Sequence, residues 1–342
     1  MPFLSDYQRE SKRQAERGRC LHFSDGARCN EIILAHSIQK RGQLSLIAED
    51  GHIYRLSADL SILQRTKGVP RLKKVGLNQA STFAGFCKHH DNSLFEPIDN
   101  FPLGPVKEQV ALYAYRCLCR EYFVKENAVA VLSKMKEHPD LDAPRRSFLE
   151  ASQFGHSHGL AGLKHHKSVF DQALLARDYE QFEFTYFTSS SPCPVQLSGL
   201  LYPDYDFEGS LLQNLGSNHS PLDLITFFTA PIEKGWAFGF GWHVSSNRTC
   251  APFIQSLARR VATGEKVEDA LLRFSLSCCE NHAVRISWWD ALDEHSKTAA
   301  VERMLLMMHP TIPVPRHYLA VGCEGIASWQ YEYVHTTLPA AA

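Results

Sequence analysis

Apolar and polar positions follow three different periods along the chain. Residues 31–38 alternate, with Ile32, Leu34 and His36 on one side and Ile33 and Ala35 on the other, a pattern that predicts a short strand. Residues 44–48 and 52–55 flank Glu49-Asp50-Gly51, whose Asp-Gly pair predicts a hairpin turn between two further strands. A long basic loop follows. A helix is expected to open near Gly85 and Phe86, where Cys87, His90 and Leu94 recur at three- and four-residue spacing until Pro97 stops the run. From 105 to about 180 the period is helical throughout: Val106, Val110, Tyr113, Cys117 and Val124 fall on one stripe, and second and third helices are predicted at 143–155 and 160–178. The texture changes at Phe182. Runs at 182–187, 195–201, 222–229 and 236–244 are rich in aromatic and branched side chains and are separated by Pro, Gly, Asn and Ser, which predicts an antiparallel sheet. Helical periods return at 251–262, 267–279 and 287–308, before a Pro-rich tail expected to be irregular.

These elements predict an α+β fold in three parts: an N-terminal module over 1–104, a helical connector over 105–180, and an antiparallel β-rich domain flanked by helices over 181–342, to which the sequence assigns no role. The composition, 44% hydrophobic and 21% charged, suits a packed core and excludes a disordered chain. No stretch approaches the ~20 uninterrupted apolar residues of a membrane-spanning helix, and the first 19 residues are polar and charged, so the expectation is a cytoplasmic protein without a membrane partner. Ten cysteines in that setting point to reduced thiols and metal ligation.

The formal net charge of −1 argues against a surface generally coated with nucleic acid, but the charge is unevenly spread. Residues 1–95 hold 15 Lys and Arg against 9 Asp and Glu, which leaves the remainder acidic. The densest basic run, Arg65, Lys67, Arg71, Lys73 and Lys74, is a candidate face for the phosphates of DNA or RNA; its plainer reading is a solvated loop.

That same basic segment carries the candidate metal chemistry. Cys20 and Cys29 form one arm and Cys87 and His90 the other, three thiols and one imidazole, which is the ligand set of a closed tetrahedral zinc site. On a helix Cys87 and His90 are three apart and face one ion together. Asp91, the next residue, points about 100° round the helix, where a second cation could bind.

Cys20, Cys29, Ala35-His36-Ser37-Ile38 and Phe86-Cys87-Lys88-His89-His90-Asp91 together resemble a ββα-metal zinc finger of the HNH endonuclease type, over roughly residues 18–98. The resemblance implies a zinc-bound ββα-like module in which His36 is the general base, Asp91 holds Mg²⁺ or a similar divalent ion, and Cys20, Cys29, Cys87 and His90 keep a purely structural Zn²⁺. It implies metal-dependent hydrolysis of phosphodiesters, or nucleic-acid binding by a degenerate relative, in a setting such as bacterial host defence. The chain departs from the family pattern at three points: Thr82 stands where an Asn usually orients the base, Asp91 where the closing residue is commonly His, and the first cysteine pair is wider than a tight knuckle. The different-class alternative is an interaction protein in which zinc only folds the module and the C-terminal sheet binds a protein or small ligand.

Other clusters are weaker. His156, His158, His165 and His166 lack accompanying cysteines or carboxylates and read as helix surface. Asp204, Asp206 and Glu208 have the wrong spacing for a calcium loop and read as a solvated turn. The run Cys278-Cys279-Glu280-Asn281-His282 before Trp288-Trp289 reads as a helix end filling a core, with an acid/base pocket around Glu280 as the second reading. Phosphate-loop, nucleophile-elbow and kinase signatures are missing.

Overall fold

A computed structural model describes residues 2–24, 26–57, 66, 69, 71–191, 193–216, 221–306 and 312–339. The α+β class holds, and its frame is a large antiparallel sheet clad by helices on both faces. Four neighbouring strands make its centre: β5 (Phe182–Ser189), β6 (Val195–Leu201), β7 (Ile225–Ile232) and β8 (Gly235–His243). On β7 the consecutive residues Phe227 and Phe228 are both fully buried and join different core clusters, because successive strand side chains point to opposite faces. Each such phenyl contributes roughly 1.5–3 kcal/mol by leaving water.

Strand β8 shows how its sequence separates the two faces. Trp236, Phe238, Phe240 and Trp242 alternate with Ala237, Gly239 and Gly241. The aromatic side meets α7 (Asn247–Ala262) and α8 (Val267–Cys278), where Phe240 packs against Phe253 and Phe274. The small side admits α5 (Lys107–Met135): a Cβ on Gly241 would lie 2.8 Å from the Val110 side chain, so glycine lets helix and sheet approach closely. Tyr113 of α5 stacks on Phe228 at 4.6 Å. Its antiparallel neighbour α6 runs unbroken over Ala143–Leu175 where two helices were expected. Gly155, Gly159 and Gly162 lie inside it, and Gly162 is held against the Tyr202 ring, so packing overrides the low helix propensity of glycine.

The N-terminal third is woven into this frame. Helix α1 (Phe3–Glu16), unforeseen in the sequence reading, packs on α5. Strand β1 (Ile32–His36) pairs antiparallel with β4 (Thr82–Cys87), His36 opposite Thr82 and Ile32 opposite Cys87, and the chain passes directly from β4 into α3 (Lys88–Leu94) and α4 (Glu96–Asp99). Residues 44–48, expected as a strand, instead form an irregular turn and the single helical turn α2 (Ser45–Ile47). The hairpin of this region joins β2 (His52–Ser57) to β3 (Arg71–Gly76). Through β9 (His282–Val284) that hairpin continues the main sheet, whose order is β10-β5-β8-β7-β6-β9-β2-β3. The last strand, β10 (Tyr333–Thr336), lies in the tail expected to be irregular and pairs with β5. The helix expected over 287–308 is divided into α9 (Ile286–Ala291) and α10 (Glu294–Leu305), with the Asp293 carboxylate accepting from Ser296 N–H to cap the second. Among the described residues no helix is long and apolar enough to cross a membrane.

Candidate metal centre

The two candidate ligand arms are brought together by backbone pairing. Arg19 N–H donates to the Ala84 carbonyl and Leu21 N–H to that of Gly85, so Cys20 is fixed beside the end of β4. From behind, the buried Tyr115 hydroxyl of α5 bonds the Leu21 carbonyl at 2.9 Å and the Asp171 carboxylate at 2.7 Å, and Lys167 pairs with the same carboxylate. Cys87 ends β4 and is the N-cap of α3, its sulfur accepting from His90 N–H. A helix opening of this kind favours a thiolate, because unpaired N–H groups and the positive end of the helix dipole face it.

The four donor atoms of Cys20, Cys29, Cys87 and His90 lie within 4.8 Å of one another, and they are the group of that kind found among the described residues. His90 Nδ1 stands 3.3 Å from the Cys20 sulfur, 3.5 Å from that of Cys29 and 3.4 Å from that of Cys87. One nitrogen nearly equidistant from three sulfurs is the arrangement of four donors around a single ion, so the group can hold a metal such as zinc. Burial pushes the Cys20 thiol up to about 12, and keeping it as a thiolate calls for a cation beside it. Burial acts on Cys87 too, but N–H bonds from His90 and Asn30 bring its thiol below the ordinary value. Two contacts escaped the sequence reading. The His22 ring stacks flat on His90 at 4.0 Å, and the Asn30 side chain accepts from the backbone N–H of His89.

His36 and Asp91 lie outside this ligand set. His36 sits at the far end of the β1–β4 pair and donates from Nε2 to the Leu77 carbonyl at 3.1 Å, which leaves Nδ1 as the acceptor nitrogen. Burial lowers its pKa, and the cations Lys40 and Arg116 act in the same direction. Asp91 is half-buried, and its Oδ1 is shielded from solvent without a hydrogen-bond partner. Burial raises its pKa against the pull of Arg116. His36 and Asp91 therefore feel the same neighbours, Arg116 and Asp99, which bind each other through two 2.8 Å bonds under the Phe95 ring.

Arg71, Lys73 and Lys74 are exposed on β3, an edge strand of the main sheet, whereas Arg65 and Lys67 lie outside the described residues. Edge cations also keep such a strand from pairing with another chain. The histidine run is not gathered around an ion: His166 is buried and donates to the Leu222 carbonyl at 2.7 Å, while His158 and His165 are exposed. Asp206 is buried, where a solvated turn was expected, and accepts from Glu208 and Ser210 N–H; Glu208 pairs with Arg259. Glu280 is exposed, while Asn281 and His282 are buried, Asn281 donating to Ser37 and to the Ser198 carbonyl.

Compared with models of protein families, with curated proteins and with solved structures, the chain matches none.

Proposed function

We propose that residues 18–98 form a zinc-stapled ββα-metal module of the HNH endonuclease kind, acting on the phosphodiesters of nucleic acid. The observation that carries this reading is the equidistant placement of His90 Nδ1 among three sulfurs at the point where strand β4 turns into α3. For Zn–S near 2.3 Å and Zn–N near 2.1 Å, a tetrahedral S···N edge is about 3.6 Å, close to the separations of 3.3–3.5 Å here. Three soft sulfurs and an imidazole with no place for water favour zinc in a structural role.

His36 and Asp91 have properties suited to the chemistry. His36, neutral near pH 7 with its Nε2–H given to Leu77, presents Nδ1 to take a proton from an attacking water. The backbone carbonyl of Leu77 fills the orienting role that an Asn side chain has in the family pattern; Thr82, opposite His36, bonds the Gln79 carbonyl instead. Asp91 Oδ1 has no hydrogen-bond partner, whereas both Asp99 oxygens are held by Arg116. A single carboxylate suits Mg²⁺, which keeps most of its waters, and such an ion would stabilise charge on the phosphate and the leaving oxygen. Arg71, Lys73 and Lys74 would lie along the phosphate backbone. The test is incubation of the full chain with supercoiled plasmid and with single-stranded RNA in Mg²⁺: cleavage of either, lost in His36→Ala with zinc retained, supports the reading, and cleavage that persists in that variant removes His36 from the mechanism.

A further inference from the structure

A cavity of about 670 Å³ opens on the β1–β4 pair between α1 and α5. Its walls are mostly apolar, with Ile32, Ile33, Phe83, Phe123 and Val124, but two arginines from distant parts of the sequence, Arg55 of β2 and Arg120 of α5, line it together. Arg120 is buried and paired with Glu121. Arg55 is compensated only in part, by the fields of Glu280 and Glu121. Its Nε is shielded from solvent without a partner, and among the described residues no carboxylate pairs with it. Burial and the like charge of Arg120 disfavour its cationic form and outweigh the opposing pull of the Glu280 and Glu121 carboxylates. Glu16, at the cavity mouth, is turned to Lys12.

A guanidinium offers five donors in a fixed fork that matches an anionic oxygen pair, and leaving them unused at a buried site is costly. We propose that this cavity is a binding site for a small phosphate monoester of mononucleotide size, its phosphate seated on Arg55 and its flat, less polar part against Phe83 and Phe123. The volume lies in the range of small-ligand sites, and a mostly apolar chamber with a few convergent charged groups is how such sites fix orientation. Neither His36 nor Asp91 lines the cavity, so the proposal stands apart from the nuclease reading.

Calorimetric titration of the full chain with AMP, GMP, CMP and UMP, and with adenosine as the uncharged control, tests it. At least one monophosphate should bind saturably, with adenosine at least tenfold weaker than AMP if AMP is the ligand bound. Arg55→Gln should weaken that binding at least tenfold with metal content and melting temperature unchanged, and Val124→Trp, which fills the chamber from α5, should abolish it. Failure of all four monophosphates to bind at millimolar concentration, or equal binding by Arg55→Gln, would overturn the proposal.

Discussion

Asn281 donates to the Ser37 hydroxyl at 2.9 Å, joining two positions 244 residues apart, the turn before β9 and the residue that follows His36. Ser37 in turn lies 2.6 Å from the Ser81 hydroxyl, so one buried chain of polar groups ties the ends of β1 and β4 to the main sheet. Gln43 adds a second tie by donating to the Thr229 side chain at 3.0 Å. The position of His36 is thus set by residues from the far end of the sequence.

One consequence concerns cooperativity. Asn281→Ala should cost about 1–3 kcal/mol, the penalty for leaving buried polar partners unsatisfied. Thermal unfolding followed at the N-terminal third and at the sheet should give one shared transition, moved to lower temperature in the variant. Two separated transitions would show that the segments are independent.

The cluster of Cys20, Cys29, Cys87 and His90 gives a second prediction. Cys87→Ser removes a sulfur held at the helix opening and should release the ion and unfold the knuckle, because binding energy at such a site is folding energy. Zinc binding to the metal-depleted chain should release protons, since Cys20 without a cation beside it stays a thiol near neutral pH. Titration in buffers of different ionisation enthalpy measures that release, and a heat independent of buffer would contradict it.

For His36 the expected loss is large. Replacing a general base commonly costs about 10²- to 10⁴-fold, so plasmid or RNA cleavage by His36→Ala should fall at least 100-fold while zinc content is unchanged. Asp91→Asn should lower the rate and raise the Mg²⁺ concentration needed.

Acid should destabilise the fold through two buried imidazoles. Burial lowers His166 and His282 to about 4 from the usual 6.5, each with one ring nitrogen donating to a backbone carbonyl. A depressed pKa means that the neutral form is favoured in the fold, so this stability is present above pH 6.5 and is lost as pH falls toward 4. Each group contributes on the order of 3 kcal/mol across that window. Urea unfolding at pH 7 and pH 5 should show the decline, and His166→Gln should flatten it; an unchanged slope in that variant would exclude His166.

The sequence disclosed those parts whose physics is local. Cys87 and His90 were readable as a pair because a Cys-x2-His spacing converges on one ion even with the cysteine at the N-cap, where it lies, and β5 to β8 because aromatic and branched runs stand between turn residues. The pairing of β1 with β4 across the inserted β2–β3 hairpin was not readable: Gly85 and Phe86, expected to open a helix, lie in β4 because the partner that makes this segment a strand lies some 50 residues earlier. Helix α1 was missed for a related reason. Its buried positions, Glu10 and Gln14, are polar, and they are satisfied by Arg13, Lys134 and each other rather than by an apolar stripe. The Arg55–Arg120 cavity is invisible in sequence because it joins a strand and a helix that no local period connects.

The most direct test of the account is the metal content of the purified full chain by plasma mass spectrometry, alongside Cys87→Ser. The account predicts about one zinc per wild-type chain and a loss of it in the variant. A wild-type chain that carries no transition metal and takes up none after reduction would contradict it.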